Sequence, residues 1–146
     1  MLGIDTNLLL YSLSPKSRFH EASRRFLKHA FSEERVVISD LVLVELYLHL
    51  RNPVVMRSPL SPMEATSTVR SFLGFPSVTR AEAAPVMDKV WEWAAKPRFA
   101  RRRIIDLRLA LTLQHHGVTR FATANVKDFQ GVGFEKVWDP TVAKRL

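Results

Sequence analysis

Apolar positions along the chain alternate between two kinds of run. Residues 2–5 open as a short apolar stretch closed by Asp5, and residues 35–38 hold Val36, Val37 and Ile38 in the same style. Runs without polar alternation suit strands buried on both faces of a parallel sheet. Between them lies a polar stretch, 12–17, whose Pro15 makes it a loop. Phe19, Ala22, Phe26, Leu27, Ala30 and Phe31 then recur at helical spacing, with Arg24, Arg25 and Lys28 interposed. This spacing predicts an amphipathic helix over 18–31 with a basic outer side. Ser39 or Asp40 caps a further helix over 41–51, which Asn52 and Pro53 end.

The second half continues the alternation. Residues 53–62 carry three of the eight prolines and read as a loop. Ser61, Pro62 and Glu64 make a capping box with proline at the first helical position, opening a helix to Leu73 that Gly74 stops. A short strand is expected within 75–78. Thr79 and Glu82 form a second capping box and predict a helix from there to Lys96 and Pro97, with Pro85 blurring its start. Trp91 and Trp93 cannot share a face of that helix, so one belongs to the core and the other to the surface or an interface. A helix follows from about Ile104 to Gly117, then a strand ending at Thr123, a polar loop, and a last strand over 134–137. No internal repeat, low-complexity segment or linker breaks the series. The expected class is α/β, in a single domain spanning 1–146.

Composition narrows the partners. A chain of 146 residues buries roughly 70% of its unfolded surface on folding, and 47% apolar content is that of an ordinary globular protein. The net charge of +8 favours a polyanionic partner such as nucleic acid. The absence of cysteine excludes disulfides and thiolate metal sites and fits a reducing compartment. A charge already at position 5 argues against a secretory signal, and no apolar run approaches the roughly 18 residues of a membrane span. The expectation is a soluble cytoplasmic protein without a membrane partner.

Against this basic background a few acidic positions stand out. Asp5 closes the first strand, where open α/β sheets place their ligands, although it also suits a simple helix cap. Glu45 lies in a stretch apolar on nearly every side, so a buried carboxylate needing an arginine, a proton or a cation is expected. His49, one turn on, is either its partner or a hydrogen-bonded helix-end histidine, and the latter is the preferred reading. Asp106 suits the dipole of its own helix start, but Ala110 one turn on leaves room above that face. Asn125 and Asp128 follow a strand and are either turn residues or part of the same edge. Arg101, Arg102 and Arg103 crowd a helix start that disfavours positive charge, which hints at phosphate binding beside the alternative of a solvated basic loop. His115 and His116 diverge on a helix and make no metal pair. Clustered carboxylates repel one another unless a hard cation such as Mg²⁺ or Mn²⁺ joins them. A carboxylate-held metal beside a basic surface suggests metal-assisted phosphodiester hydrolysis.

Four pieces in order, Ile4-Asp5-Thr6-Asn7, Glu45 after Ser39 and Asp40, Asp106 with Ala110, and Thr123 with Asn125, Asp128 and Phe129, span nearly the whole chain. As an ordered set they resemble the PIN-domain ribonucleases, specifically the toxin half of VapBC-type toxin–antitoxin pairs. The resemblance implies a three-layer α/β/α sandwich around a mostly parallel sheet and an Mg²⁺- or Mn²⁺-dependent endoribonuclease. It also implies an RNA substrate, a small cognate antitoxin and commonly a homodimer. Asp5 and Asp106 would be the main metal ligands, with Glu45 completing the acidic site and Asp128 or Asn125 in the fourth position. Some relatives carry Asp where Asn125 stands. Thr6, Asn7 and Thr123 would orient the carboxylates, and Arg101, Arg102 and Arg103 would grip RNA. An Asp-nucleophile phosphatase needs a second Asp where Asn7 stands, and a receiver-type phosphoacceptor needs a suitable late Lys. The alternative from another class is a non-catalytic PIN-like RNA- or protein-binding module.

Overall fold

In the computed structural model, residues 1–142 are described; positions 143–146 of the expected single domain lie outside the described residues. The organising strand is β1 (Leu2–Ile4), every residue of which is buried. Its parallel neighbours are β2 (Val36–Ser39) on one side and β4 (Arg120–Ala122) on the other. Adding β3 (Val78–Ala81) and β5 (Lys136–Trp138) at the edges gives an all-parallel sheet in the order β3-β2-β1-β4-β5. The unbroken apolar runs at 2–4 and 36–38 thus occupy the doubly covered centre, as their lack of alternation requires.

Parallel strands in one sheet are joined by right-handed crossovers. The helices α1 (Thr6–Leu13) and α2 (His20–Glu33) carry the chain from β1 to β2. Next, α3 (Asp40–Leu50) and α4 (Pro62–Ser71) carry it from β2 to β3 in the same direction, so these four cover one face. The return from β3 to β4 through α5 (Met87–Ala94) and α6 (Arg103–His115) covers the other, with the short α7 (Val126–Phe129) leading to β5. Helix contacts follow this division: α1 meets α2 and α3, while α6 meets α5 and α7. The result is the expected α/β/α arrangement. Because the chain leaves β1 toward β2 on one side and β4 lies on the other, the crevice at the carboxyl ends of β1 and β4 is a topological switch point.

Local signals placed most boundaries. Ser61 accepts from the Glu64 amide at 3.2 Å while Glu64 accepts from the Ser61 amide at 3.1 Å, the capping box expected at α4. Gly117, at φ +86°, takes the left-handed conformation that stops α6. Trp91 is exposed and Trp93 half-buried, as two residues on different helix faces must be.

Two elements are of the wrong kind in the sequence reading: the short helix α7 (Val126–Phe129) occupies the expected polar loop, and a strand stands where a helix start was expected. The capping box at Thr79 and Glu82 opens no helix: Val78–Ala81 is the edge strand β3, registered from Val36↔Val78 to Ser39↔Ala81. Pairing with β2 overrides the local signal, and Arg80 bonds to both Asp40 and Glu82. The helix begins only at Met87, beyond Pro85. Two boundaries also shift: α1 extends to Leu13, into the expected loop, and the last strand starts at Lys136 rather than 134.

Candidate active site

The register Ile4↔Ala122 sets the next residues, Asp5 and Thr123, side by side at the switch point, and the Asp5 amide donates to the Ala122 carbonyl at 3.0 Å. Asp5 is also the N-cap of α1, its Oδ1 accepting from the Thr6 amide at 2.8 Å. The capping role and the ligand-edge role weighed for this residue are therefore compatible. Its Oδ2 accepts from the Thr123 hydroxyl at 2.7 Å and from the side-chain Nδ2 of Asn7 at 3.3 Å. Asn7 spans the switch point, accepting from the Ala124 amide at 3.1 Å. The Thr123 hydroxyl in turn accepts from the Asn125 amide at 2.9 Å. Each of Thr6, Asn7 and Thr123 thus holds a carboxylate or the loop beside it.

Two further carboxylates, Glu45 and Asp106, share its cleft from other elements, and a third, Asp128, stands near Asp106 outside the cleft lining. Glu45, on α3, accepts from the Thr6 hydroxyl at 3.1 Å through Oε2. Asp106, in the first turn of α6, is half-buried, and Asp128 stands on α7. Burial pushes the Asp5 carboxyl up to about 6, against the lowering effect of its Thr123 and Thr6 hydrogen bonds, and the Glu45 charge adds to the rise. Asp106 is likewise raised to about 6, first by burial, then by the charges of Asp128, Asp5 and Glu45, with Arg103 opposing. Three carboxylates, from the end of β1, α3 and α6, thus line one cleft; of the two candidates for a fourth position Asn125 lines it, while the exposed Asp128 acts on it only through its charge on Asp106.

Two expectations about α3 need correction. Glu45 is not buried: its side chain is 52% exposed, because the outer side of α3 forms the lip of a cleft where Val44 and Leu48 are exposed too. His49 lies 3.5 Å from Glu45, so the histidine is its neighbour rather than merely a helix-end residue. The cleft has a volume of about 770 Å³ and runs from Asp5, Asn7 and Asn125 past Glu45, His49 and Asp106 to Arg102 and Arg108. Arg103 turns aside to donate to the Gln130 carbonyl at 3.4 Å, and Arg101 is exposed. Sequence reasoning missed Arg108. Residues two apart on a helix do not share a face by spacing, so nothing in the sequence linked Arg108 to Asp106, yet both line the cleft.

Donor chemistry decides what such a site can hold. Among the described residues, Asp5, Asp106 and Asp128 form no ion pair, although the chain carries a net charge of +8. Repelling carboxylates, which offer hard oxygen donors, fit a hard divalent cation. No group of three or more His, Asp or Glu among the described residues forms a ready-made metal cage. An open site of this kind suits a cation that retains several waters.

Fold and site together define the class: the chain belongs to the PIN domain family, whose pattern matches residues 3–135. Among its relatives, Ribonuclease VapC24 of Mycobacterium tuberculosis is 48% identical over 140 residues, covering 96% of this chain and 97% of that protein. Solved structures share the fold at lower identity. Mycobacterium tuberculosis VapC20, a sarcin-ricin loop cleaving toxin, matches with a TM-score of 0.66 and 18% identity over 92% of this chain and 96% of its own. VapBC2 from Rickettsia felis, bound to a DNA fragment from its promoter, matches with a TM-score of 0.63 and 15% identity over 94% and 98%.

Proposed function

We infer that this chain is an endoribonuclease toxin that hydrolyses RNA phosphodiester bonds with a carboxylate-held Mg²⁺ or Mn²⁺. The observation that carries the reading is the acidic cluster at the sheet's switch point, with Asp5 and Asp106 in no ion pair among the described residues, in an otherwise basic chain. End-to-end identity with a protein named as a VapC ribonuclease supports it. Asp5 and Asp106 would hold the cation, Glu45 would complete the acidic site, and Asp128 and Asn125 would close its fourth side. A cation bound there supplies Lewis-acid stabilisation of the charge that develops on the phosphate. Thr6 fixes Glu45 and Thr123 fixes Asp5, so the carboxylates are oriented before substrate arrives. Arg102 and Arg108, lining the same cleft, would hold flanking phosphates.

The same reading includes a small cognate antitoxin that covers the cleft, since a solved relative is a two-component VapBC assembly. It also includes a homodimer and a cytoplasmic location. Among the described residues no helix is long and apolar enough to cross a membrane.

The test is cleavage of a small-RNA pool by purified, antitoxin-free protein with Mg²⁺ or Mn²⁺ against EDTA. Wild type is compared with Asp5→Asn and Asp106→Asn. Metal-dependent cutting that falls by about two orders of magnitude or more in each variant is expected. RNA that is bound but never cut with either metal would instead make the chain a non-catalytic binding module.

A further inference from the structure

A second groove, about 710 Å³ in volume, lies between the turn after α1 and the loop after α3. It shares Leu10 and Tyr11 with the acidic cleft, so the two depressions are contiguous across that pair of side chains. The walls are tied together where the Ser14 hydroxyl meets the Met56 sulfur at 3.9 Å. The 52–56 turn is held by its own bonds, with the Met56 amide donating to the Asn52 carbonyl at 2.8 Å. Charge separates the grooves. The acidic cleft holds three carboxylates, whereas the second is lined by Lys16 and Arg57 and by no acidic residue. Both cations are exposed, and neither forms an ion pair among the described residues.

Two unpaired cations with no anion beside them, continuous with a cleft that would act on a polyanion, are a complementary path for that polyanion. We propose that the groove between the α1 turn and the 55–58 loop is an extension of the RNA site, where Lys16 and Arg57 take phosphates of the strand flanking the cut. The eight residues of α1, which link Asp5 to this groove, span roughly 12 Å. The contacts therefore lie beyond the reacting phosphate and reward longer substrates only. Tyr11, at the saddle, packs its ring against Phe19 with centroids 4.9 Å apart and offers a surface on which a base crossing between the grooves can stack.

This proposal rests on the nuclease reading, and its test separates the two. Wild type and the double variant Lys16→Ala/Arg57→Ala are compared by binding of a long single-stranded RNA across a salt series. Cleavage of that RNA is measured beside cleavage of a short oligoribonucleotide confined to the acidic cleft. Both residues are exposed, and a matching thermal melt verifies that the variant is folded. The expected result is a log Kd against log salt slope shallower by about 1.4, near 0.7 per cation removed. KM for the long RNA rises and cleavage of the short one is unchanged. An unchanged slope overturns the proposal and leaves the groove to a protein partner. Equal loss on short and long RNA also overturns it, because the residues then serve the whole enzyme rather than an extension. A wild type that cuts no RNA while the slope still falls overturns the nuclease reading and keeps the groove as an RNA path.

Discussion

A carboxyl raised to about 6 holds a proton in the folded protein that the unfolded chain has released near 3.8. In that window the folded state binds more protons, so stability falls as pH rises through it and levels off above about 6. For Asp5 the shift corresponds to up to about 3 kcal/mol; Asp106 acts in the same direction but more weakly, being half exposed to screening solvent. Asp5→Asn removes the titration. In metal-free buffer it should be more stable than wild type by about 1–3 kcal/mol near pH 7.5 and nearly equal to it near pH 4. Millimolar Mg²⁺ should raise wild type preferentially. Denaturant melts of both proteins across pH check this, the difference cancelling every group they share; a gap independent of pH would refute it. A second prediction concerns Thr123, whose hydroxyl donates to Asp5 and accepts from the Asn125 amide. Thr123→Val should cost about 10–100-fold in metal affinity or activity, seen as a higher Mg²⁺ requirement for cleavage. That Asp5 and Asp106 come to one cleft was legible because a carboxylate after a buried strand and one beneath a small residue are local signals. The surroundings of Glu45 were not. Its apolar sequence neighbours line a cleft, and whether a helix face meets core or cleft is settled by elements distant in sequence.

Elements were legible where one segment carries its own signal. The capping box at Ser61 and the Gly117 stop are satisfied within a few residues, and the doubly buried strands follow from uninterrupted apolar runs. β3 was misplaced, expected within 75–78 and found at Val78–Ala81, because an edge strand is made by its partner: Thr79 and Arg80 are exposed, and only pairing with β2 distinguishes 79–81 from a helix start. Close packing at the sheet centre was equally invisible. A Cβ at Gly3 would lie 3.0 Å from Val118 Cγ1, 3.1 Å from Phe121 Cδ2 and 3.3 Å from Leu113 Cδ1. β1 therefore tolerates α6 and β4 this near only because position 3 has no side chain. Gly3→Ala should destabilise the fold by about 1–3 kcal/mol. Gly74→Ala, whose Cβ would meet nothing within 4 Å, should change stability by less than about 1 kcal/mol in either direction. Paired thermal melts measure both, and equal effects would contradict the packing argument.

At the scale of the whole molecule, the net charge of +8 and the acidic cluster play separate parts. In the proposed nuclease the overall charge would draw a polyanion to the surface, while the carboxylates would repel it until a bound cation neutralised them. Cations that touch substrate must therefore border the cleft without quenching its acids, and the arginine run at 101–103 divides along that line. Arg102 lines the cleft, Arg103 is committed to the Gln130 carbonyl and to lowering the Asp106 pKa, and Arg101 is exposed and lines no part of the cleft. The sequence offered three equivalent arginines; the turn of the helix start makes them unequal. Arg102→Ala should make the salt dependence of RNA binding shallower by about 0.7, and Arg101→Ala should change it by much less. Arg103→Ala should leave the slope nearly unchanged but shift the pH profile of cleavage upward, since Asp106 loses the neighbouring charge that favours its ionised form. Salt-series binding and pH–rate profiles on the three single variants distinguish these outcomes. Three equal slopes would mean that RNA meets the run as an undivided basic loop rather than through the residue that borders the acids.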